Sequence, residues 1–415
     1  MFPVSIFKER RGKVIKKMED NSVLLIESAM PKEKNTNNNY IFRQDSSFYY
    51  LTGLNAENSV LLLVKSNKMS KQILFVEENN PFLELWFGKR KSFEEIKTET
   101  GISEVYSIKE MFQHLSMYVN DKIILYFDFT NRQVSSFLDY QHYRLTRIRE
   151  HYPQITTVQQ ASKVIYPIRM IKDEHEIKAV RRAIEITRDG IINAMKRVRP
   201  GMYEYEVQAD LEYMFLKNGV RVPAFPSIIA SGVNAATLHY SDNNCKIEKN
   251  SLVLTDVGAE YMNYSADITR VFPASKKFTE KQTMLYNRLL EIQERIIGMV
   301  KPGISFKEIN DSATKMIAKM LISLKYIKDE SDVKKYYAHS IGHMLGLDTH
   351  DVNEFPRNLP VLEENMILTI EPGIYLKEES LGIRIEDDIL VTKNGRNNLS
   401  YDIPKSIKEI ERSVA

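Results

Sequence analysis

Two aspartates interrupt what otherwise reads as a strand-forming run. In "LVLTDVGAEYMNYSADITRVF", residues 252–272, Asp256 and Asp267 stand among branched and aromatic residues. Asp is depleted in strands and costly to bury without a partner, so something must compensate for both. A hairpin turning at Tyr261–Met262 would set the two carboxylates directly opposite each other, which like charges avoid unless a cation lies between them. A proton shared by the pair, as in an acid dyad, and a turn at another position are the alternatives.

Three more segments carry chemistry-bearing residues where apolar ones are expected. "HSIGHMLGLDTHD", residues 339–351, sets His339, His343 and His350 among small and apolar residues, so the segment is expected to be buried and its histidines partnered. Glu371 directly follows the apolar run of "NMILTIEPGIYL", and an acid at a strand end either points into a cleft or lies on an exposed loop. In "LGIRIEDDILV" period-two alternation puts Arg384 and Glu386 on one face, as a plain ion pair or as part of a site. Asp387 and Asp388 make that stretch too acidic for an ordinary surface strand. Taken together, Asp256, Asp267, His343, Glu371 and Glu386 offer four carboxylates and one imidazole, a set able to hold two divalent cations. Oxygen-dominated ligands with a single nitrogen favour Mn²⁺, with Co²⁺, Fe²⁺ and Zn²⁺ also compatible.

Composition excludes several classes of function. A chain of 415 residues exceeds what one core fills, so two domains are expected. Its 58 basic and 55 acidic residues leave a net charge of +3, which argues against a nucleic-acid partner gripped by a basic face. The basic run "FKERRGKVIKK" near the N-terminus reads as the solvated face of a helix. Cys245 is the one cysteine, which rules out an internal disulfide and suits a reducing cytoplasm. "MFPVSIFKERR" has no long apolar core of an export signal, and nowhere are there the roughly 18 consecutive apolar residues of a membrane helix, so no membrane partner is expected.

The apolar patterning changes part-way along the chain. Up to about residue 160, strand-like runs such as "NSVLLIES", "NSVLLLVKS", "KQILFVEE" and "DKIILYFDF" alternate with polar or helical stretches and predict a small α/β domain. The Asn-rich "NTNNNY" reads as a loop. "YPIRMIKDEHEIKAVRRAIEITRDGIINAMKRVRPG" then has helical spacing and closes on Pro200-Gly201, which places a boundary near residue 165 and gives domains of 1–165 and 166–415. Helices are expected around 203–218, 279–300 and 305–323, with the acid-bearing runs as strands between and after them.

These residues, in this order, resemble the metal-dependent peptidases of the pita-bread fold: methionine aminopeptidase, prolidase and aminopeptidase P. "YIFRQDSSFYYLTGL" and "ELWFGKRK" are similar to the amino domain of aminopeptidase P, also called Xaa-Pro aminopeptidase, which methionine aminopeptidase lacks. The resemblance implies an α/β (α+β) chain whose small N-terminal domain precedes a pita-bread catalytic domain, with a curved, mostly antiparallel sheet covered by helices. It implies two divalent metal ions on Asp256, Asp267, His343, Glu371 and Glu386, with Asp267 and Glu386 bridging both. His239 in "ATLHYSDNN", His339 and His350 match substrate-side histidines, and Tyr375 and Arg384 match positions lining the same cleft.

The implied reaction is hydrolysis of the bond between an N-terminal residue and a following proline by a hydroxide bridging two metals. Glu371 would relay the proton, and His239 or His350 would stabilise the tetrahedral intermediate. The implied partners are peptides with proline in second place and copies of the same chain, as a homodimer or homotetramer. Trp86, a bulky aromatic beside Phe87 and Gly88 in a basic stretch, reads as a loop residue near a neighbouring subunit's cleft or as an ordinary core tryptophan. A prolidase cleaving only Xaa-Pro dipeptides is the nearest alternative. A pita-bread binding protein without metals is a further one, although it would be expected to have lost ligand residues.

Overall fold

Branched apolar runs become strands where both faces can be covered, and the first unit of the chain is built on such a sheet. The computed structural model describes residues 2–67, 69–128, 140–352 and 360–414. It divides into two compact units, Met1–Arg169 and Met170–Ala415. In the first, strands β1 (Ser22–Glu27), β2 (Val60–Ser66), β3 (Met69–Val76), β4 (Glu104–Ser107), β5 (Ile124–Phe127) and β6 (Thr157–Gln160) lie in the order β4-β3-β2-β1-β5-β6. The pairs β1–β2 and β2–β3 are antiparallel, and the other three are parallel. Val23, Leu25, Leu62, Ile73, Phe75 and Leu125 belong to one core cluster, while Leu24, Ile26, Leu61, Leu63 and Leu74 are buried as well. Such two-sided burial explains why these strands read as continuous apolar runs rather than as alternation.

Two local expectations for this unit need correction. Helix α1 (Val4–Lys17) does form from the basic run, but Arg10 and Arg11 are buried. Arg11 donates through Nη1 to Leu51 O at 2.7 Å, through Nη2 to Thr100 O at 2.9 Å and through Nε to Gln72 Oε1 at 2.7 Å. Backbone carbonyls far along the chain therefore hold this guanidinium, and burial lowers its pKa to about 10. The Asn-rich loop is instead a short ribbon in which Glu33–Asn35 pairs with Asn38–Asn39.

In the second unit, the long helical stretch begins at Asp173. Its side chain accepts from the backbone N–H groups of His175 and Glu176, and Glu176 reaches back to the Asp173 N–H at 3.0 Å. This reciprocal cap starts α2 (Glu174–Arg197). Helices α3 (Glu204–Lys217), α4 (Glu280–Met299) and α5 (Phe306–Ser323) follow within two residues of the expected bounds. The strands form antiparallel sets. One contains β7 (Ile228–Ser231), β8 (Leu252–Val257) and β9 (Ile268–Pro273), with β8 central. Another pairs β10 (Ile367–Ile370) with β13 (Asp387–Thr392) and β14 (Gly395–Asn398), and β11 (Gly373–Leu376) pairs with β12 (Leu381–Arg384).

The hairpin that joins β8 to β9 turns one residue later than expected. Met262 and Asn263 both have positive φ, 51° and 65°, and Tyr261 pairs with Tyr264. Asp256 consequently faces Thr269, not Asp267. Because side chains alternate along a strand, Asp267 still lies on the same face as Thr269, diagonal to Asp256.

Candidate active site

The second unit brings the acids of three separate segments together with the histidine-rich segment. Residues 341–345 run beside β10: Leu345 donates its N–H to Ile367 O at 3.0 Å, Thr369 to His343 O at 2.9 Å and Glu371 to Ile341 O at 2.8 Å. Gly342 permits this approach, since a Cβ there would sit 2.0 Å from Thr369 O. His343 and Glu371 are thereby fixed side by side. Glu386, between β12 and β13, donates its N–H to Thr269 O at 3.2 Å, which ties it to the strand that follows Asp267. Asp256, Asp267 and Glu386 are buried, and the Glu371 side chain is 17% exposed.

This crowding sets the protonation of the acids. Burial, and then the charge of Asp256, push Asp267 well above the usual carboxylate range. Burial, with Asp267, Glu371 and Asp256, does the same to Glu386. Glu371 is pushed up by burial to about 7, against the opposing charges of His343 and Arg384. Left to themselves, these acids resist ionisation.

The imidazole is oriented toward them. His343 Nδ1 lies 3.1 Å from Met344 O, and since a carbonyl only accepts, Nδ1 carries the proton. Its Nε2 lone pair then faces Asp267 Oδ2 at 3.3 Å and Glu371 Oε1 at 3.7 Å. One donor atom each from Asp267, His343 and Glu386 can be chosen so that all lie within 4.8 Å of one another. Asp256 Oδ1 is buried and has no hydrogen-bond partner among the described residues. Clustered acids, an outward imidazole lone pair and an orphaned carboxylate oxygen fit a divalent cation, which would offset the repulsion among the acids.

Beside the acids lies a hydrogen-bonded relay. Arg384 donates through Nη2 to Asp256 Oδ2 at 2.5 Å, through Nε to Thr269 Oγ1 at 3.0 Å and through Nη1 to the Tyr375 hydroxyl at 2.9 Å. Thr269 in turn donates to Glu386 Oε2 at 2.6 Å. Tyr375 lies 2.7 Å from His339 Nε2, whose Nδ1 lies 2.7 Å from Ser340 O. Burial, and then Arg384, lower the His339 pKa to about 4, so the ring is neutral and accepts from Tyr375. The expected face-sharing of Arg384 with Glu386 thus becomes an ion pair with Asp256, and Thr269 bridges the guanidinium to Glu386.

The histidine segment is mostly buried as expected, but His350 is exposed, its ring centroid 4.2 Å from that of His343. His239 is exposed too and lies within electrostatic reach of both His339 and His350.

Residues 178–393 match metallopeptidase family M24. The chain belongs to metallopeptidase family M24. Residues 7–126 match the aminopeptidase P N-terminal domain. Among M24 relatives, the chain is 35% identical to Xaa-Pro aminopeptidase of Haemophilus influenzae, with 99% of this chain and 97% of that protein aligned. Among solved structures, zinc-substituted Escherichia coli aminopeptidase P in complex with product superimposes with a TM-score of 0.90 at 31% identity, covering 100% of this chain and 98% of the other. Proline aminopeptidase P II from Yersinia pestis gives 0.92 at 30%, covering 100% and 99%. This M24 chain is a metal-dependent aminopeptidase with the pita-bread fold, and the prolidase and binding-protein alternatives are not favoured.

Sequence reasoning missed two members of the site. Thr269 gave no signal, because threonine is ordinary in a strand. Asp388 is fully buried and accepts the Asp267 N–H on Oδ2 at 3.2 Å, so it fixes the backbone of that acid. Its signal was the excess acidity of "EDD".

Proposed function

We propose that this enzyme releases the first residue from peptides whose second residue is proline, using two divalent ions, Mn²⁺ foremost, held by Asp256, Asp267, His343, Glu371 and Glu386. The observation that carries this reading is the cluster itself: the Asp267, Glu371 and Glu386 carboxylates gathered around the Nε2 lone pair of His343. When bound, such ions lower the pKa of a water molecule and polarise the scissile carbonyl. Glu371 takes a proton from the attacking water on a carboxylate oxygen and passes it to the leaving prolyl nitrogen. His239 and His350, both exposed, hydrogen-bond the oxygen on which negative charge develops.

Proline in second place has no amide N–H and a fixed φ, so the site must recognise a ring rather than grip a donor. Tyr375, His239 and His350 supply the walls, and His339 holds the Tyr375 hydroxyl in place. Arg384 is the cation that a dipeptidase would need for the carboxylate after proline. Its guanidinium is already bonded to Asp256, Thr269 and Tyr375 and is 4% exposed, which supports an orienting part and leaves longer peptides unopposed.

The helix Pro81–Phe87 exposes Phe82, Leu85, Trp86 and Phe87, so Trp86 stands on a short helix rather than on a loop. Such an apolar cluster supports a homodimer or homotetramer with Trp86 at a subunit contact. Among the described residues no helix is long and apolar enough to cross a membrane, and an exposed, free Cys245 suits the cytoplasm. The specificity is tested with Mn²⁺-supplemented enzyme on Xaa-Pro-Yaa and Xaa-Pro peptides. A kcat/KM on the longer peptide at least equal to that on the dipeptide is expected, with no cleavage when alanine replaces proline. Efficient hydrolysis of dipeptides alone contradicts it.

A further inference from the structure

Glu204, the first residue of α3, is fully buried, and no Lys, Arg or His is paired with it among the described residues. A carboxylate in that setting must be satisfied by donors. Oε1 accepts the Ser231 N–H at 2.7 Å, the Ser231 hydroxyl at 2.8 Å and Asn234 Nδ2 at 3.2 Å. Oε2 accepts the Tyr240 hydroxyl at 2.7 Å and the Cys245 N–H at 3.0 Å. All of these donors come from one segment, 231–245. The carboxylate gathers both ends of that segment by their backbone N–H groups and its middle by two side chains.

The segment is also pressed against the strand that leads to Arg384. Its 3-10 turn, Gly232–Ala236, packs on β12 so closely that a Cβ on Gly382 would lie 1.8 Å from Ala235 O. Beyond this turn comes His239, next to Tyr240. The residue proposed to face the substrate is thus held on one side by a strand of the site and on the other by a single buried carboxylate.

We infer that Glu204 is a positioning residue of this aminopeptidase, whose carboxylate folds the 231–245 segment around itself and thereby aims His239 at the substrate. The inference rests on the substrate-facing assignment of His239. The chemistry demands a carboxylate at this position. Every partner is a donor, so only a group that accepts on both atoms satisfies them all. In Glu204→Gln, which preserves shape, the amide NH₂ would meet either the Ser231 or the Cys245 N–H head-on. Tyr240 reports the same contact: burial, and then the hydrogen bond to Glu204, raise its pKa.

The test is a double-mutant cycle on Mn²⁺-loaded full-length enzyme, reading kcat, KM and bound metal for Glu204→Gln, His239→Ala and the double variant. Glu204→Gln is expected to lower kcat/KM by about 10- to 100-fold, as loss of a supporting shell does, with full metal content. The double variant is expected to match His239→Ala, because a misaimed side chain has nothing left to lose. Should Glu204→Gln not fold, Tyr240→Phe, which removes one donor and leaves the carboxylate in place, takes its part in the cycle with a smaller loss and the same non-additivity. Losses that multiply, or metal content that falls in step with activity, overturn the inference. A His239→Ala enzyme with unchanged kcat/KM overturns the assignment of His239 and the inference with it. An impaired His239→Ala beside an unimpaired Glu204→Gln overturns the inference alone.

Discussion

Glu386 and Asp387 are neighbours in sequence and both are buried, yet their surroundings drive them in opposite directions. Asp387 receives Arg270 Nη2 at 2.7 Å, Lys405 Nζ at 2.8 Å and Asn398 Nδ2 at 2.8 Å. Burial raises its pKa, but Arg270 and Lys405 outweigh that and hold it well below the usual carboxylate range. Glu386 receives the Thr269 hydroxyl, and its burial, then the charges of Asp267, Glu371 and Asp256, raise its pKa against the opposing Arg384. Alternation along the strand separates the two sides, and Asp388 returns to the side of Glu386, also with a raised pKa. Asp387 brings its own countercharges and belongs to the framework. Glu386 has no direct one among the described residues and, in the proposed site, would meet it in a cation.

Substitutions on the two sides should therefore fail in different ways. The largest effect is expected for Asp267→Asn, which should lower kcat/KM by about 10³-fold or more, since several kcal/mol of charge stabilisation depend on the ions. Its thermal midpoint without metal should not fall, because the amide relieves repulsion among buried acids. A folded but fully active variant would break the comparison. Asp387→Asn should do the reverse, leaving Arg270 and Lys405 uncompensated at a cost of about 3–5 kcal/mol in urea unfolding. The sign of its pH dependence follows from a depressed folded-state pKa. The stabilisation by Asp387 is complete above the ordinary carboxylate pKa of about 4 and is lost as pH falls through the lower folded value, so the variant should have the flatter stability curve in acid.

Thr269→Val sharpens the boundary between the sides. It keeps the shape of the strand but deletes the hydroxyl shared by Arg384 Nε and Glu386 Oε2. Metal affinity is expected to fall by about 10- to 100-fold with little change in stability, measured by titrating metal-free enzyme with Mn²⁺. Unchanged affinity would mean that Glu386 needs no such support.

The same contrast explains what could be read without the structure. Asp256, Asp267, Glu371 and Glu386 stood out because acids inside apolar strand runs are costly, and the order of those runs resembled one family. The register of the Asp256 hairpin was not legible, because its turn uses Met262 at positive φ, and methionine carries no such preference. Arg11 read as solvated because the carbonyls that hold it, on Leu51 and Thr100, are not encoded near it in the sequence. Glu204 has no marker in the sequence, since an acid is ordinary in a first helical turn, and only the fold brings Ser231, Asn234, Tyr240 and Cys245 around it.

The most direct measurement is the number of divalent ions on active enzyme, by elemental analysis after Mn²⁺ saturation and removal of free ion. Two per chain are expected in the wild type and fewer in Asp267→Asn. A wild-type preparation that hydrolyses Xaa-Pro-Yaa peptides with no ion bound would contradict the claim that the clustered acids are held for cations.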